Sequence, residues 1–285
     1  MIISGKTRVC GVIGDPIAHT LSPIMHNAAF EAQKLDYVFL AFRVKSSGIS
    51  NAVDGMRALS IRGLNVTMPH KSVVMEHLDR IDLSAQLVNS VNTILNKENL
   101  LFGFNTDGIG ALKALKENGV ELKGRKILLL GAGGAARAIA YTLAKEADEL
   151  SVLNRTVKPA QNLVKLLEKT LNKKVTIGSL SFSDVRQNLK DSDVLVNATS
   201  VGMKPYADLS PVPAKLLRRD LAVMDIVYNP LETKLAKEAK AAGAKVVSGV
   251  EMLIYQGAAS FELWTGKPAP VDVMRQAALS HLRRV

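Results

Sequence analysis

Lys126–Leu130 is a short apolar run that passes directly into Gly131-Ala132-Gly133-Gly134-Ala135-Ala136 and then into a helical stretch reaching about residue 144. A strand, a glycine-rich turn and a helix in that order open a dinucleotide-binding unit. The glycines allow a tight turn and let a pyrophosphate approach the backbone. Ala136 holds the third fingerprint position, where a small side chain permits close helix–sheet packing. The helix behind the turn offers free N–H groups and its positive dipole end to the phosphates. Without the flanking strand and helix, the hexapeptide would read as an ordinary tight turn.

The end of the next strand bears on the choice of cofactor. NAD sites usually place Asp or Glu about 20 residues on, to accept from the ribose 2′-hydroxyl. Here Asn154-Arg155-Thr156 stands there, with Lys158 close behind. A guanidinium pairs with a 2′-phosphate through charge-assisted hydrogen bonds and can stack on adenine, whereas a carboxylate would repel it. NADP is the expected cofactor, against the plainer reading of Arg155 as a solvated surface arginine.

The alternation continues with a strand at 150–153, a helix to about 171, and strands at 175–177, 194–197, 223–226 and 245–247. It predicts a Rossmann-type, doubly wound parallel sheet over residues 107–248. Residues 1–106 read as a separate α/β domain. Its elements are a strand at 8–13, a helix from Ser22 to about 35, strand 37–43, helix 49–59, strand 63–66 and a helix at about 72–78. Ser22 is expected as N-cap of the first helix, with Pro23 at its first position. Segments 92–95 and 100–104 should pair as a hairpin across 96–99. A helix from Asp107 is expected to stop at Gly119. Helices at about 251–265 and 271–284 end the chain, and residues 249–285 are expected to pack back toward the first domain.

Composition limits the partners. The chain has 285 residues, 47% of them hydrophobic, which suits globular domains with real cores. No run approaches the roughly 18–20 apolar residues of a membrane helix. The sequence enters the apolar run 9–13 without a basic leader, so a soluble cytoplasmic protein is expected. Cys10 is the only cysteine, which excludes an internal disulfide framework and a thiolate metal cluster. The net charge of +11 is spread among acids, as in Lys113, Lys116, Glu117, Glu121 and Lys123. No basic run with interleaved aromatics occurs, so neither nucleic acid nor a membrane is an expected partner. A small anionic substrate suits the positive field better.

Two charged residues stand just past strand ends, Lys71 in Asn65-Val66-Thr67-Met68-Pro69-His70-Lys71 and Asp107 in Phe104-Asn105-Thr106-Asp107. Ligands of open α/β sheets bind beyond strand ends. Reduction of a ketone needs a proton donor for the developing alkoxide, which a positioned lysine can be. Spacing cannot show that these two meet.

The chain resembles the shikimate dehydrogenase family. The resemblance rests on residues 14–23, 65–71, 90–93, 105–108, 131–136 and 154–156, and on three further motifs in the same order. These are Asn197-Ala198-Thr199-Ser200-Val201-Gly202-Met203, Asp225-Ile226-Val227-Tyr228-Asn229-Pro230 and Gly249-Val250-Glu251-Met252-Leu253. The resemblance implies that Lys71 is the acid–base lysine and Asp107 its partner. It implies that Thr20 and Ser22 bond the substrate carboxylate. Asn65, Thr67 and Asn92 would contact ring hydroxyls together with Asp107, and Tyr228 and Gln256 would close the substrate site. On the cofactor side, Gly131, Ala132, Gly133, Gly134 and Ala135 would hold the pyrophosphate. Asn154, Arg155, Thr156, Val157, Lys158 and Pro159 would hold the 2′-phosphate. Thr199, Ser200, Ile226, Gly249 and Met252 would line the path to the nicotinamide. The implied reaction is reversible reduction of 3-dehydroshikimate to shikimate by NADPH. Thr20 departs from the family's usual serine, keeping the hydroxyl and adding a methyl. Ile226 stands where methionine is frequent.

Other residues carry less. Cys10 is expected as an inert core thiol. His70, beside Lys71, is a second acid–base group or a residue that shapes its loop. The histidines lack metal-ligand spacing, so no metal is expected. Two alternatives stand beside the main reading. One is a quinate/shikimate dehydrogenase with relaxed substrate or cofactor choice. The other is a non-catalytic shikimate sensor, which would be expected to lose Lys71 or Asp107. The sequence does not separate a monomer from a homodimer.

Overall fold

The computed structural model describes residues 2–283, so the expected helix end at Arg284 lies outside the described residues. The chain forms two compact units, Met1–Asp107 with Ile254–Val285, and Gly108–Leu253.

The first unit opens with β1 (Arg8–Gly14), α1 (Ser22–Ala32), β2 (Tyr37–Arg43), α2 (Ile49–Ala58) and β3 (Gly63–Val66). Then come β4 (Arg80–Ile81), α3 (Leu83–Leu87), β5 (Thr93–Lys97) and β6 (Leu100–Phe104), and α4 (Asp107–Glu117) starts at its last residue. The strand order is β2-β1-β3-β5-β6-β4. β1 runs parallel to β2 and β3, whereas β5 is antiparallel to both β3 and β6. The hairpin forms as expected, but β5 extends through Lys97 and the turn shrinks to Glu98-Asn99. Both turn residues have positive φ, 55° and 65°, as a two-residue turn matched to strand twist requires. The reversal of β5 has a consequence for function. It brings the start of β5 and the end of β6 to the edge where β3 ends, with Asn65 opposite Thr93 and Thr93 opposite Phe104.

Two expectations in this unit need correction. Ser22 does not cap α1; the helix begins at Ser22 with Leu21 in the cap position. No side chain caps this helix, and the backbone N–H of Ser22 meets Thr20 Oγ1 at 3.3 Å. The helix also stops at Ala32, because Lys34 turns into the left-handed region at φ 51°. The expected helix at 72–78 is a shorter 3₁₀ turn, Val73–His77.

Alternation along the strands divides the core of this unit. Ile13, Leu64, Val66 and Ile94 pack with Val53 and Met56 of α2. The intervening positions face an aromatic cluster formed by His26 and Phe30 of α1, Phe39, and two residues of α9 (Gly249–Thr265), Phe261 and Trp264. The Trp264 indole Nε1 donates to the Ile94 carbonyl at 3.0 Å. A Cβ on Gly63 would lie 2.1 Å from that nitrogen, so the indole can lie against β3 only because Gly63 has none. The last helix, α10 (Val271–Leu282), packs along α1.

The second unit carries β7 (Lys126–Leu130), α5 (Gly134–Glu146), β8 (Glu149–Asn154), α6 (Val157–Leu171) and β9 (Val175–Ser179). It continues with α7 (Phe182–Lys190), β10 (Val194–Asn197), β11 (Ala222–Asp225), α8 (Lys234–Ala241) and β12 (Lys245–Ser248). The sheet is parallel throughout, in the order β12-β11-β10-β7-β8-β9, which is the doubly wound order of Rossmann folds. The order reverses between β7 and β10, so the crevice at their carboxyl ends is the topological switch point. Sequence patterning marked no helix at 182–190, where α7 forms and buries Val185 and Leu189. Among the described residues, no helix is long and apolar enough to cross a membrane.

Candidate active site

At the edge where β3 and β6 end, Lys71 Nζ meets Asp107 Oδ2 at 2.6 Å. The aspartate side chain is 6% exposed and that of the lysine 19%, so the pair is largely shielded from water. Asp107 is held from several sides. Its second oxygen, Oδ1, accepts from Asn92 Nδ2 at 2.8 Å. Its backbone N–H donates to Asn105 Oδ1 at 3.0 Å, and the Asn105 amide donates in turn to the Ser90 carbonyl at 2.8 Å. Asn105 thereby fixes the start of α4, as short polar side chains do at helix entries. Asn92 also donates to Gln256 Oε1 at 3.3 Å, which joins α9 to the group. Lys71 and Asp107 are well separated in sequence; the antiparallel β5–β6 pair brings the aspartate back to the lysine.

Asn65 lies beside them on β3, buried. Its Nδ2 is within bonding distance of the Asn92 carbonyl (3.2 Å), Thr93 Oγ1 (3.2 Å) and Ser260 Oγ (3.0 Å). Its Oδ1 is buried without a hydrogen-bond partner. A buried acceptor without a partner suits a ligand that brings a hydroxyl donor. Thr67 follows β3, its N–H bonded to the Ile13 carbonyl at 2.9 Å. Thr20 Oγ1 and Ser22 Oγ stand 3.2 Å apart at the entry to α1, offering two hydroxyls side by side. Thr93, Thr106 and Ser260, which sequence reasoning gave no role, complete this polar layer. Thr93 and Thr106 stand inside the motifs at 90–93 and 105–108. Ser260 was signalled only by standing one helical turn beyond Gln256 on α9.

His70 is buried, and its Nε2 lies 2.6 Å from the Val44 carbonyl. Since a carbonyl only accepts, the ring donates there and shapes the loop that carries Lys71. Cys10 is fully buried in β1, where burial pushes its thiol pKa far up and keeps it protonated.

In the second unit the glycine-rich turn stands at the switch point. Gly131 has φ +110°, and a Cβ there would lie 2.8 Å from the Ala198 carbonyl oxygen, so the ends of β7 and β10 touch through bare backbone. Gly133 has open space where a side chain would stand, and no side chain caps the start of α5. This cradle fits a pyrophosphate, with Ala132 and Ala135 flanking it and Ala136 fully buried against the sheet. At the end of β8, Asn154 Nδ2 donates to the Thr156 carbonyl at 2.8 Å and folds the segment toward α6. Arg155, Thr156, Val157, Lys158 and Pro159 are all exposed, leaving both cationic groups available to an anion. Thr199 follows β10 and bonds Asn197 Oδ1 through N–H (3.1 Å) and hydroxyl (2.7 Å), with Ser200 exposed next to it. Asp225 braces that loop from β11, accepting from Asn197 (2.9 Å) and Thr233 (2.6 Å). Ile226 and Gly249 pack closely, since a Cβ on Gly249 would meet the Ile226 carbonyl at 2.6 Å, and Met252 is buried. Tyr228 follows β11 in this unit, half-buried. Of the expected substrate residues, Asn65, Lys71, Asn92, Asp107 and Gln256 thus form one bonded group, Thr20 and Ser22 form a separate pair, Thr67 follows β3 in the same unit, and Tyr228 belongs to the second unit.

Residues 12–94 match the shikimate dehydrogenase substrate binding domain, residues 113–226 the shikimate / quinate 5-dehydrogenase domain, and residues 249–279 the shikimate 5′-dehydrogenase C-terminal domain. The shikimate dehydrogenase (NADP(+)) of Methanocaldococcus jannaschii is 46% identical over 284 residues, covering 99% of this chain and 100% of the relative. A crystal structure of a shikimate dehydrogenase in complex with NADP+ superimposes with a TM-score of 0.94 at 46% identity, covering 99% of this chain and 98% of the other. The Thermus thermophilus shikimate 5-dehydrogenase in complex with NADP(H) and shikimate gives 0.86 at 39% identity, covering 96% and 99%.

Proposed function

Because the chain belongs to the shikimate dehydrogenase family, we propose that it reduces 3-dehydroshikimate reversibly to shikimate with NADPH, using Lys71 and Asp107 as its acid–base pair. The observation that carries this reading is the 2.6 Å contact between those two side chains, beside a buried carboxamide oxygen that lacks a partner. The residue roles follow from chemistry. In the reduction, the ketone carbon gains hydride and its oxygen gains a proton. NADPH supplies the hydride when bound. Lys71 Nζ donates the proton to the developing alkoxide, and in the reverse direction takes it from the hydroxyl. Asp107, held by Asn92 and by its own backbone bond, orients the ammonium group. Asn65 and Asn92 meet ring hydroxyls with an acceptor and a donor, while Thr67 and Gln256 add further polar contacts. Thr20 and Ser22 bind the carboxylate, and Tyr228 closes the substrate site.

NADP is held by the cradle 131–135, with Arg155 and Lys158 taking the 2′-phosphate by charge-assisted bonds. Thr199, Ser200, Ile226, Gly249 and Met252 line the way to its nicotinamide end. The unit Met1–Asp107 with Ile254–Val285 serves substrate, and the unit Gly108–Leu253 the cofactor.

The test follows reduced-nicotinamide absorbance with shikimate or quinate and NADP or NAD, for the native protein and Lys71→Ala. Shikimate with NADP should turn over fastest, and the variant should lose roughly 10²–10⁴-fold in kcat. Faster turnover of quinate, or of NAD, would move the assignment to a broader quinate/shikimate enzyme. Shikimate binding without turnover of any pair would make the chain a sensor.

A further inference from the structure

We infer that Ser260 is a positioning residue for substrate recognition, holding the Asn65 carboxamide with its oxygen free for a substrate hydroxyl. The inference deepens the proposed function and rests on its placement of Asn65 against the ring. Ser260 is fully buried on α9 and touches no reacting atom in that scheme.

Hydrogen-bond accounting leads to it. A carboxamide can sit in its pocket in two ways, related by exchange of its oxygen and nitrogen. At Asn65 the choice is forced, because one of the three neighbours of Nδ2 is the Asn92 carbonyl, which can only accept. The shortest of the three contacts is Ser260 Oγ at 3.0 Å. The Ser260 hydroxyl donates back to the Gln256 carbonyl at 3.1 Å, leaving its lone pairs for neighbouring donors. Nδ2 is thus drawn into the protein, and Oδ1 is left buried and without a partner. The same Ser260 oxygen lies 2.8 Å from Thr93 Oγ1 and 3.4 Å from Thr106 Oγ1. Both threonine hydroxyls reach Asn92 Oδ1, at 3.0 and 3.2 Å. With that oxygen occupied, the Asn92 amide hydrogens point at Asp107, Thr106 and Gln256. Ser260 therefore fixes the Asn65 carboxamide as acceptor, while the two threonine hydroxyls fix that of Asn92 in the opposite sense. A site so fixed rejects ligands whose hydroxyl cannot donate to Asn65, because the buried oxygen then stays unpaired.

The experiment compares the full-length protein with Ser260→Ala, Asn65→Ala and the double variant. Ser260→Ala should raise KM for shikimate roughly fivefold, the effect of about one neutral hydrogen bond, and change kcat by less than about twofold. In the Asn65→Ala background the same substitution should leave KM unmoved. An unchanged KM in the single variant, or an equal rise in both backgrounds, would overturn the inference. A second readout needs no turnover. With asparagine labelled by ¹⁵N, the Asn65 side-chain amide protons, assigned through Asn65→Ala, should exchange with solvent roughly fivefold faster in Ser260→Ala. Unaltered exchange would refute the role of Ser260 whatever the substrate proves to be. Failure of the native protein to oxidise shikimate would instead count against the proposed function.

Discussion

His26 should make the first unit sensitive to mild acid. The ring is fully buried, stacked on Phe39 at 4.4 Å between centroids and tilted against Trp264 at 5.3 Å. Neither ring nitrogen has a hydrogen-bond partner. A positive charge there would have neither water nor a counter-ion, so burial lowers the pKa from 6.5 to about 3. In the unfolded chain the imidazole takes up a proton near its ordinary value; in the folded chain it stays neutral until far lower pH. The folded pKa is thus depressed. The stability it allows is complete above about pH 6.5 and is lost as pH falls from there toward about 3, by about 1.4 kcal/mol per pH unit. Between pH 7 and pH 5 this comes to about 2 kcal/mol.

The assay is urea unfolding at a series of pH values, followed by fluorescence of Trp264, the only tryptophan in the chain and a direct neighbour of the ring. His26→Phe keeps an aromatic ring on Phe39 and removes the titration. Overpacking would shift its stability by about 1–3 kcal/mol at every pH, leaving the slope as the readout. The native protein should lose about 2 kcal/mol from pH 7 to pH 5, and the variant correspondingly less. Equal slopes for the two proteins, or a flat profile for the native one, would refute the reasoning.

Two predictions concern the cofactor. Arg155→Ala should raise KM for NADP about 10–100-fold while moving KM for NAD by less than about twofold, because a charge-assisted contact to the 2′-phosphate is worth about 1.5–3 kcal/mol; steady-state kinetics with both cofactors decide. Gly131→Ala should cost about 1–3 kcal/mol of stability, since alanine is strained at φ +110° and its Cβ would press on the Ala198 carbonyl. Thermal melts with and without NADP should also show the cofactor's stabilisation reduced, and an unchanged melt would remove the argument for close contact at the switch point.

The legible parts of the sequence were those governed by short-range rules. The apolar run before Gly131, the glycines and the helix behind them are contiguous, and the structure forms them with the β7–β10 reversal that makes a cofactor crevice. Arg155 is exposed because its strand ends there, which follows from the same local pattern. The early stop of α1 at Ala32 was not legible, because it depends on one residue, Lys34, entering the left-handed region; nor was the tightening of Val73–His77 into a 3₁₀ turn, which helical periodicity does not distinguish over so short a stretch. α7 was missed for a different reason: Phe182, Val185 and Leu189 stand at helical spacing, but the helix is only nine residues long and polar between them, so the stripe is short. The meeting of Lys71 with Asp107 could not be read from spacing at all. It depends on β5 reversing direction, and periodicity gives strands without pairing partners.

The register between α9 and β3 shows how one core contact can set a functional one. Four helical residues rise about 6 Å, and two strand residues advance about 6.6 Å. Steps of four on a helix therefore keep pace with steps of two on a neighbouring strand. Trp264 lies against Gly63, and Ser260, four residues earlier, meets Asn65, two residues later. Another four residues back, Gln256 reaches Asn92, the residue immediately before β5. The same face of one helix thus passes from a buried indole to a buried hydroxyl to a carboxamide within the polar group of the site. The indole is anchored twice, by its bond to Ile94 and by the absence of a Cβ on Gly63, so it cannot slide along the strand without losing both. A shift of one strand position would turn Asn65 to the opposite face of the sheet. The aromatic packing of this unit is in that sense part of how Asn65 keeps its oxygen free, though none of those rings is near a reacting group in the proposed scheme.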